Sequence, residues 1–178
     1  MEQTITEALA ELKTISKRIE KKRSFVTSYL LRPDAQKDPL IKEGGSPELV
    51  KRERQAIKDL EKRHIAIRMA IQRSNLETVI TVEGISKSVA EWLTWRKEVA
   101  PDVQRDLNNL KLTIERARQA VQKLGGSVVV PGADSKPQDI VVNVEERELA
   151  SDMELMESIL GTLDGQLSLR NATTTIDI

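Results

Sequence analysis

The stretch that decides the fold runs from Ser86 to Leu124, SKSVAEWLTWRKEVAPDVQRDLNNLKLTIERARQAVQKL. From Val89 onward its inward-facing candidates alternate in four- and three-residue steps, which is typical of a coiled-coil seam. They are Val89, Leu93, Arg96, Ala100, Val103, Leu107, Leu110, Ile114, Ala117, Val121 and Leu124. A helix of this length extends about 58 Å, too far for one small globular core to surround. We therefore expect the other helices to lie along it, with a kink at Pro101.

The composition is typical of a helical bundle: of the 178 residues 31% are charged and only 2% are aromatic. The chain has no cysteine, which excludes disulfides and thiolate metal sites, and its single histidine argues against most zinc sites and histidine-based triads. No apolar run approaches the roughly 20 residues that a membrane span needs, and the N-terminus does not resemble a signal peptide. We expect a cytosolic chain that is neither secreted nor membrane-spanning.

Helix boundaries are marked most clearly in the first part of the chain. Thr4 and Glu7 form a capping-box pattern, and Arg32-Pro33 disfavours helix at residue 32. Ser46-Pro47 is a strong start signal for a second helix. These signals predict a helical hairpin over residues 4–74.

The whole sequence predicts a mainly α fold: an elongated antiparallel four-helix bundle, or coiled coil, with small β elements at its ends. A single domain is expected over 1–178. After the hairpin, its segments are a strand at 78–82, a long helix at 86–124 capped by Ser86, a β-hairpin at 127–142, a helix at 144–170 and a C-terminal strand at 173–178. The C-terminal strand is predicted to pair with residues 78–82.

Charge is unevenly distributed although the chain is neutral overall. Residues 1–75 carry 17 Lys/Arg and 11 Asp/Glu, whereas residues 76–178 carry 11 and 17. The basic cluster on the first helix comprises Lys17, Arg18, Lys21, Lys22 and Arg23. It is interpreted either as a solvated helix face or as a binding surface for phosphates or an acidic partner. Zero net charge and scarce aromatic side chains argue against nucleic acid as that partner.

Other candidate partner-binding residues are Trp92 and Trp95 near the start of the long helix, and Ile176 and Ile178 in the tail. Trp92 and Trp95 are interpreted either as local core or as an interface anchor. His64 is interpreted either as a packed histidine or as a pH switch or shared metal ligand, and packing is favoured because no second ligand lies within helical reach. No catalytic, cofactor-binding or metal-binding residue is predicted.

The carboxylates of the last helix have two interpretations as well. An acid/base pair would need a pocket that the pattern does not indicate, so solvated charge or pairing with the basic hairpin of another subunit is favoured. The glycine pair Gly161 and Gly165 is expected either to admit a neighbouring helix or strand closely or to loosen the last turns of this helix.

The linear order resembles the septicolysin-like family of small bacterial and phage helical proteins. The resemblance rests on a helical hairpin ending in Ile71-Gln72-Arg73-Ser74-Asn75, a strand ending at Gly84, a capped long helix, and a last helix closing on Arg170-Asn171-Ala172-Thr173. The valine-rich segment at 125–142 departs from that family. The resemblance implies no enzymatic activity, and the sequence has no segment suited to the pore formation that the family name suggests.

Together these observations predict a non-enzymatic structural protein that forms a homo-oligomer and also binds other virion or assembly proteins. Its expected location is a bacteriophage particle or the cytoplasm of the bacterial host. No cofactor and no membrane are expected. The alternatives are a module that binds nucleic acid or another anionic partner through the basic hairpin, and an enzyme with a carboxylate site at a subunit interface.

Overall fold

A computed structural model describes residues 2–178 and confirms a mainly helical fold with small strands. The single domain predicted over 1–178 contains two compact units. The first comprises the chain up to Glu77 together with Ser168–Ile178, and the second comprises Thr78–Leu167. Each unit has its own apolar core.

The first unit is built on two antiparallel helices, α1 (Ile5–Ser28) and α2 (Ser46–Glu77). Thr4 caps α1 in a complete capping box, because its side chain accepts the Glu7 N–H and the Glu7 carboxylate accepts the Thr4 N–H. The buried core comprises Ile5, Ala8, Leu12, Ile15, Ile67, Ile71 and Ile176. The helical hairpin predicted over 4–74 is therefore observed, with α2 three residues longer.

Asp38 organises the loop between these helices, which also contains a short 3₁₀ helix at Ile41–Glu43. Its carboxylate accepts the backbone N–H of Leu40 at 2.9 Å and that of Ser46 at 2.7 Å, together with the Ser46 hydroxyl. Hydrogen bonds from Ser46, more than any other contact, lower the pKa of Asp38. This carboxylate thereby fixes the start of α2.

The C-terminal tail pairs with the N-terminus, not with residues 78–82 as predicted. Strand β1 (Glu2–Thr4) and strand β6 (Thr175–Asp177) form an antiparallel pair in which Gln3 faces Ile176. The strand predicted at 173–178 is shorter because helix continues to Thr173. The prediction failed because residues 79–82 are already paired with the segment that follows them in sequence.

That local pair is a hairpin of β2 (Val79–Val82) and β3 (Ile85–Ser88). Glu83 and Gly84 form its two-residue turn with φ of 49° and 77°, the left-handed conformation that tight hairpins require. Because Ser86 lies in β3, it cannot cap the long helix as predicted. The cap is Ser88, whose hydroxyl accepts the Glu91 N–H at 3.2 Å while the Glu91 carboxylate accepts the Ser88 N–H at 2.7 Å.

The long helix of the second unit is interrupted by a wider turn. It consists of α3 (Val89–Thr94), a π-helical turn at Trp95–Val99 and α4 (Ala100–Gln122). The Ala100 N–H donates to the Trp95 carbonyl, five residues back, directly before Pro101. Proline lacks an N–H and crowds the carbonyl four residues earlier, so the extra residue in this turn accommodates it.

The predicted seam is only partly buried after this turn. Ala100, Ile114 and Val121 are buried, whereas Val103 and Leu110 are 38% and 45% exposed. The partner of α4 is α5 (Glu146–Thr173), which runs antiparallel to it, since Arg96 bonds Asp164 and Arg118 bonds Glu146. The side of α4 that faces α5 is lined by Gln104, Lys111 and Arg118. The half of the expected seam that contains Val103 and Leu110 therefore lies beside this contact and not within it.

The core of the second unit comprises Ile80, Val82, Val89, Trp92, Ile159, Leu163 and Leu167. The β-hairpin predicted at 127–142 is instead a short parallel pair of β4 (Val128–Val129) and β5 (Ile140–Val141). The chain between them turns back because the Asp139 carboxylate accepts the N–H groups of Ser127 and Lys136. The helix predicted at 144–170 is α5.

Candidate interaction surfaces

The structure divides the basic cluster of α1 into paired and unpaired cations. Lys22 Nζ lies 2.6 Å from Glu53 Oε2, and Arg23 Nη2 lies 2.8 Å from Glu61 Oε1, so both bind α2. Within residues 2–178, Lys17, Arg18 and Lys21 make no ion pair and are exposed. Part of the cluster thus stabilises the helical hairpin, and part is free to meet an anionic partner.

An open cavity of about 470 Å³ lies beside the unpaired cations. It is lined by Arg18, Lys21, Lys22, Phe25 and Glu53. The Phe25 ring is half-buried, and its centroid lies 4.7 Å from that of Tyr29 one turn further along α1. Sequence reasoning missed Phe25, although its position seven residues after Arg18 places both on one helix face. The structure thus brings an apolar ring beside two unpaired cations.

His64 lies on the other side of the hairpin, in an open groove of about 840 Å³. Ile19, Glu20 and Arg23 of α1 and Glu61 and Ile65 of α2 line the same groove. The histidine is half-buried, as expected for a residue at the edge of a helix contact. Among the described residues 2–178, no three His, Asp or Glu side chains are placed to hold a metal ion.

A two-pronged ion pair joins the other ends of the helices. Arg63 Nε lies 3.0 Å from Glu11 Oε1, Arg63 Nη2 lies 3.3 Å from Glu11 Oε2, and the Gln3 amide donates to the same carboxylate at 3.1 Å. Hydrogen bonds from Arg63, then from Gln3, lower the pKa of Glu11, and the carboxylate in turn raises the pKa of Arg63. This arrangement stabilises the hairpin.

The two tryptophans belong mainly to the fold. Trp92 is 1% exposed, and its indole N–H donates to the Ile80 carbonyl at 3.2 Å. Trp95 packs edge-on against it with ring centroids 5.5 Å apart and is half-buried. The side chain of Trp92 therefore contacts the core of the second unit and is not available to a partner.

The apolar residues of the tail also pack inward. Ile176 is buried in the core of the first unit, and Ile178 is half-buried against that core. This packing accounts for both residues within one chain, so the structure assigns them a role in closing the first unit.

A stripe of exposed apolar side chains runs along the C-terminal half of α2. Ile65, Met69 and Leu76 are 62%, 53% and 66% exposed and stand four and seven residues apart, so they share one helix face. Sequence reasoning missed this stripe. The signal that could have revealed it is its helical spacing.

The exposed side of α5 is acidic near its start. The helix carries six acidic and two basic residues, and Glu148 and Asp152 are exposed without an ion pair among the described residues. Gly161 and Gly165 face open space, since no atom beyond their own stretch of helix lies within 4 Å of the point where a Cβ would stand. The close neighbour expected at this glycine pair is therefore not found within the described chain.

No described helix has an apolar stretch long enough to cross a lipid bilayer. A comparison with known protein families, with characterised proteins and with solved structures finds no match to this chain. The septicolysin-like resemblance accordingly stays a prediction from the short motifs that carry it.

Proposed function

We propose that this chain is a non-enzymatic structural protein that assembles with itself, as a component of a bacteriophage particle or a similar assembly in a bacterial host. The single observation that carries the proposal is the apolar stripe of α2, formed by Ile65, Met69 and Leu76. Large apolar side chains in register on one helix face are typical of a surface that another helix covers. The elongated antiparallel four-helix bundle predicted from the sequence is part of this proposal.

Charge distribution favours a second copy as the partner. Helices α1 and α2 together carry fourteen basic and eight acidic residues, a net charge of +6, whereas α5 has a net charge of −4. Surfaces of opposite charge on one chain are complementary between copies and steer their association. Such contacts weaken as salt screens exposed charges.

The test is the solution mass of the purified protein, measured by light scattering at low and high salt. We expect an oligomer whose dissociation constant rises with salt. At any one salt concentration, replacing Ile65, Met69 and Leu76 by serine should raise the dissociation constant of the oligomer above that of wild type. A matched control replaces Leu31, Ile41 and Leu124, which are at least as exposed but share no helix face, by serine. A monomer at every salt and protein concentration would refute self-assembly.

The unpaired cations Arg18 and Lys21 support a second candidate, a module that binds nucleic acid or another anionic partner. This function predicts binding of a duplex or single-stranded oligonucleotide, with an affinity that falls steeply as salt rises. Fluorescence anisotropy with the wild-type chain and an Arg18→Glu/Lys21→Glu variant tests it. Equal, weak binding by both proteins would exclude this basic face as the site.

A further inference from the structure

The exposed basic face of α1 has side chains at a spacing that matches a second helix packed along it. Arg18, Lys21 and Phe25 stand at positions i, i+3 and i+7, so they share one face, and all three line the same open cavity. The two cations make no ion pair within residues 2–178. The face therefore presents two positive charges followed by an apolar ring, over about 10.5 Å of helix.

The exposed acidic face of α5 has the complementary order. Glu148, Asp152 and Leu155 stand at positions i, i+4 and i+7 and also span about 10.5 Å. Leu155 is 46% exposed, whereas Ile159, one turn further on the same face, is 6% exposed in the core of the second unit. The face is thus covered by the chain itself at Ile159 and open from Glu148 to Leu155.

We infer that the Glu148–Asp152–Leu155 face of one copy docks on the Arg18–Lys21–Phe25 face of a second copy. The inference rests on the proposed self-assembly and names a second contact between copies, distinct from the apolar stripe of α2. With the helices parallel, Glu148 meets Arg18, Asp152 meets Lys21, and Leu155 packs on Phe25. The two ion pairs set register and salt dependence, because exposed ion pairs contribute little affinity individually, and the Phe25–Leu155 contact removes apolar surface from water.

Charge reversal on each face separately provides the test. The variants Arg18→Glu/Lys21→Glu and Glu148→Lys/Asp152→Lys should each dissociate at least about tenfold more readily than wild type, as measured by light scattering over a dilution series. Mixing the two variants should restore assembly, because the reversed basic face of one then meets the reversed acidic face of the other. A chain carrying all four substitutions should also assemble. Restoration shows in addition that each variant is folded.

The matched control is Lys13→Glu/Lys42→Glu, which changes the net charge equally at exposed positions of the first unit outside the basic cluster and the cavity. It should assemble within about twofold of wild type. Oligomers that form equally well with all variants would overturn this contact while leaving self-assembly intact. A wild-type monomer would refute both. If mixing restores nothing and wild type instead binds an oligonucleotide through Arg18 and Lys21, the basic face belongs to an anionic polymer and not to a second copy.

Discussion

Replacing Trp92 by alanine should destabilise the second unit by about 3–5 kcal/mol, the usual cost of removing a buried aromatic side chain. Trp92 is the largest fully buried side chain among the described residues, at 1% exposure, and packs in the core with Ile80 and Leu163. Its truncation also leaves the Ile80 carbonyl without the indole donor at 3.2 Å and removes the edge-on contact with Trp95. Trp92→Phe keeps most of the ring but loses the hydrogen bond, so it should cost about 1–2 kcal/mol.

Urea unfolding followed by tryptophan fluorescence measures this effect selectively. Both tryptophans of the chain lie in the second unit, and Trp95 remains as the reporter in the Trp92 variants. With slopes of about 1–3 kcal/mol per M, Trp92→Ala should lower the urea midpoint by about 1 M or more. Far-UV circular dichroism supplies the second probe. If Trp92→Ala unfolds within about 0.3 M of wild type, Trp92 does not hold this core and its assignment is wrong.

Three further predictions concern stability. Glu11→Gln should cost about 0.5–1 kcal/mol. Because its partners hold the pKa of Glu11 below the ordinary value of 4.5, this contribution is complete above pH 4.5 in the wild type and is lost as the pH falls from there through the lowered pKa. Identical pH profiles of melting temperature for wild type and variant would contradict it. Ile67→Ala should cost about 2–5 kcal/mol because Ile67 is fully buried, and a change below about 1 kcal/mol in chemical denaturation would contradict its core position. Gly84→Ala should destabilise by about 1 kcal/mol because its φ is 77°; a thermal midpoint equal to or above wild type would show that another turn geometry is used.

The sequence predicts helix boundaries well where they depend on interactions between neighbouring residues. The capping box of Thr4 and Glu7 and the start of α2 at Ser46-Pro47 depend on neighbouring residues, and both are observed. The buried residues Ile5, Ala8, Leu12 and Ile15 of α1 follow one another at helical spacing. One helix face against one partner is the case that periodicity describes directly.

Strand pairing was predicted less well because it depends on which partners compete. Residues 79–82 pair with β3 across the two-residue Glu83–Gly84 turn, which costs little loop-closure entropy. The tail was then free to pair with Glu2–Thr4, a segment too short for its own sequence pattern to identify. The parallel β4–β5 pair depends on the side chain of Asp139, which no alternation of apolar residues reports.

The candidate interaction surfaces also could be predicted only in part, because long-range contacts decide which of their side chains are free. The sequence identifies Arg18 and Lys21 as basic but cannot separate them from Lys22 and Arg23, which are held by glutamates 31 and 38 residues away. The burial of Trp92 likewise requires Ile80, Ile159 and Leu163 to converge.

By itself, the sequence determined the helical class, the starts of α1 and α2, and the opposition of charge between the two halves of the chain, since these follow from spacing, capping and composition. The tertiary structure decided the strand partners and which charged and aromatic side chains stay exposed. Those features depend on residues far apart in the chain competing for the same neighbours. That competition is resolved only when the chain is folded.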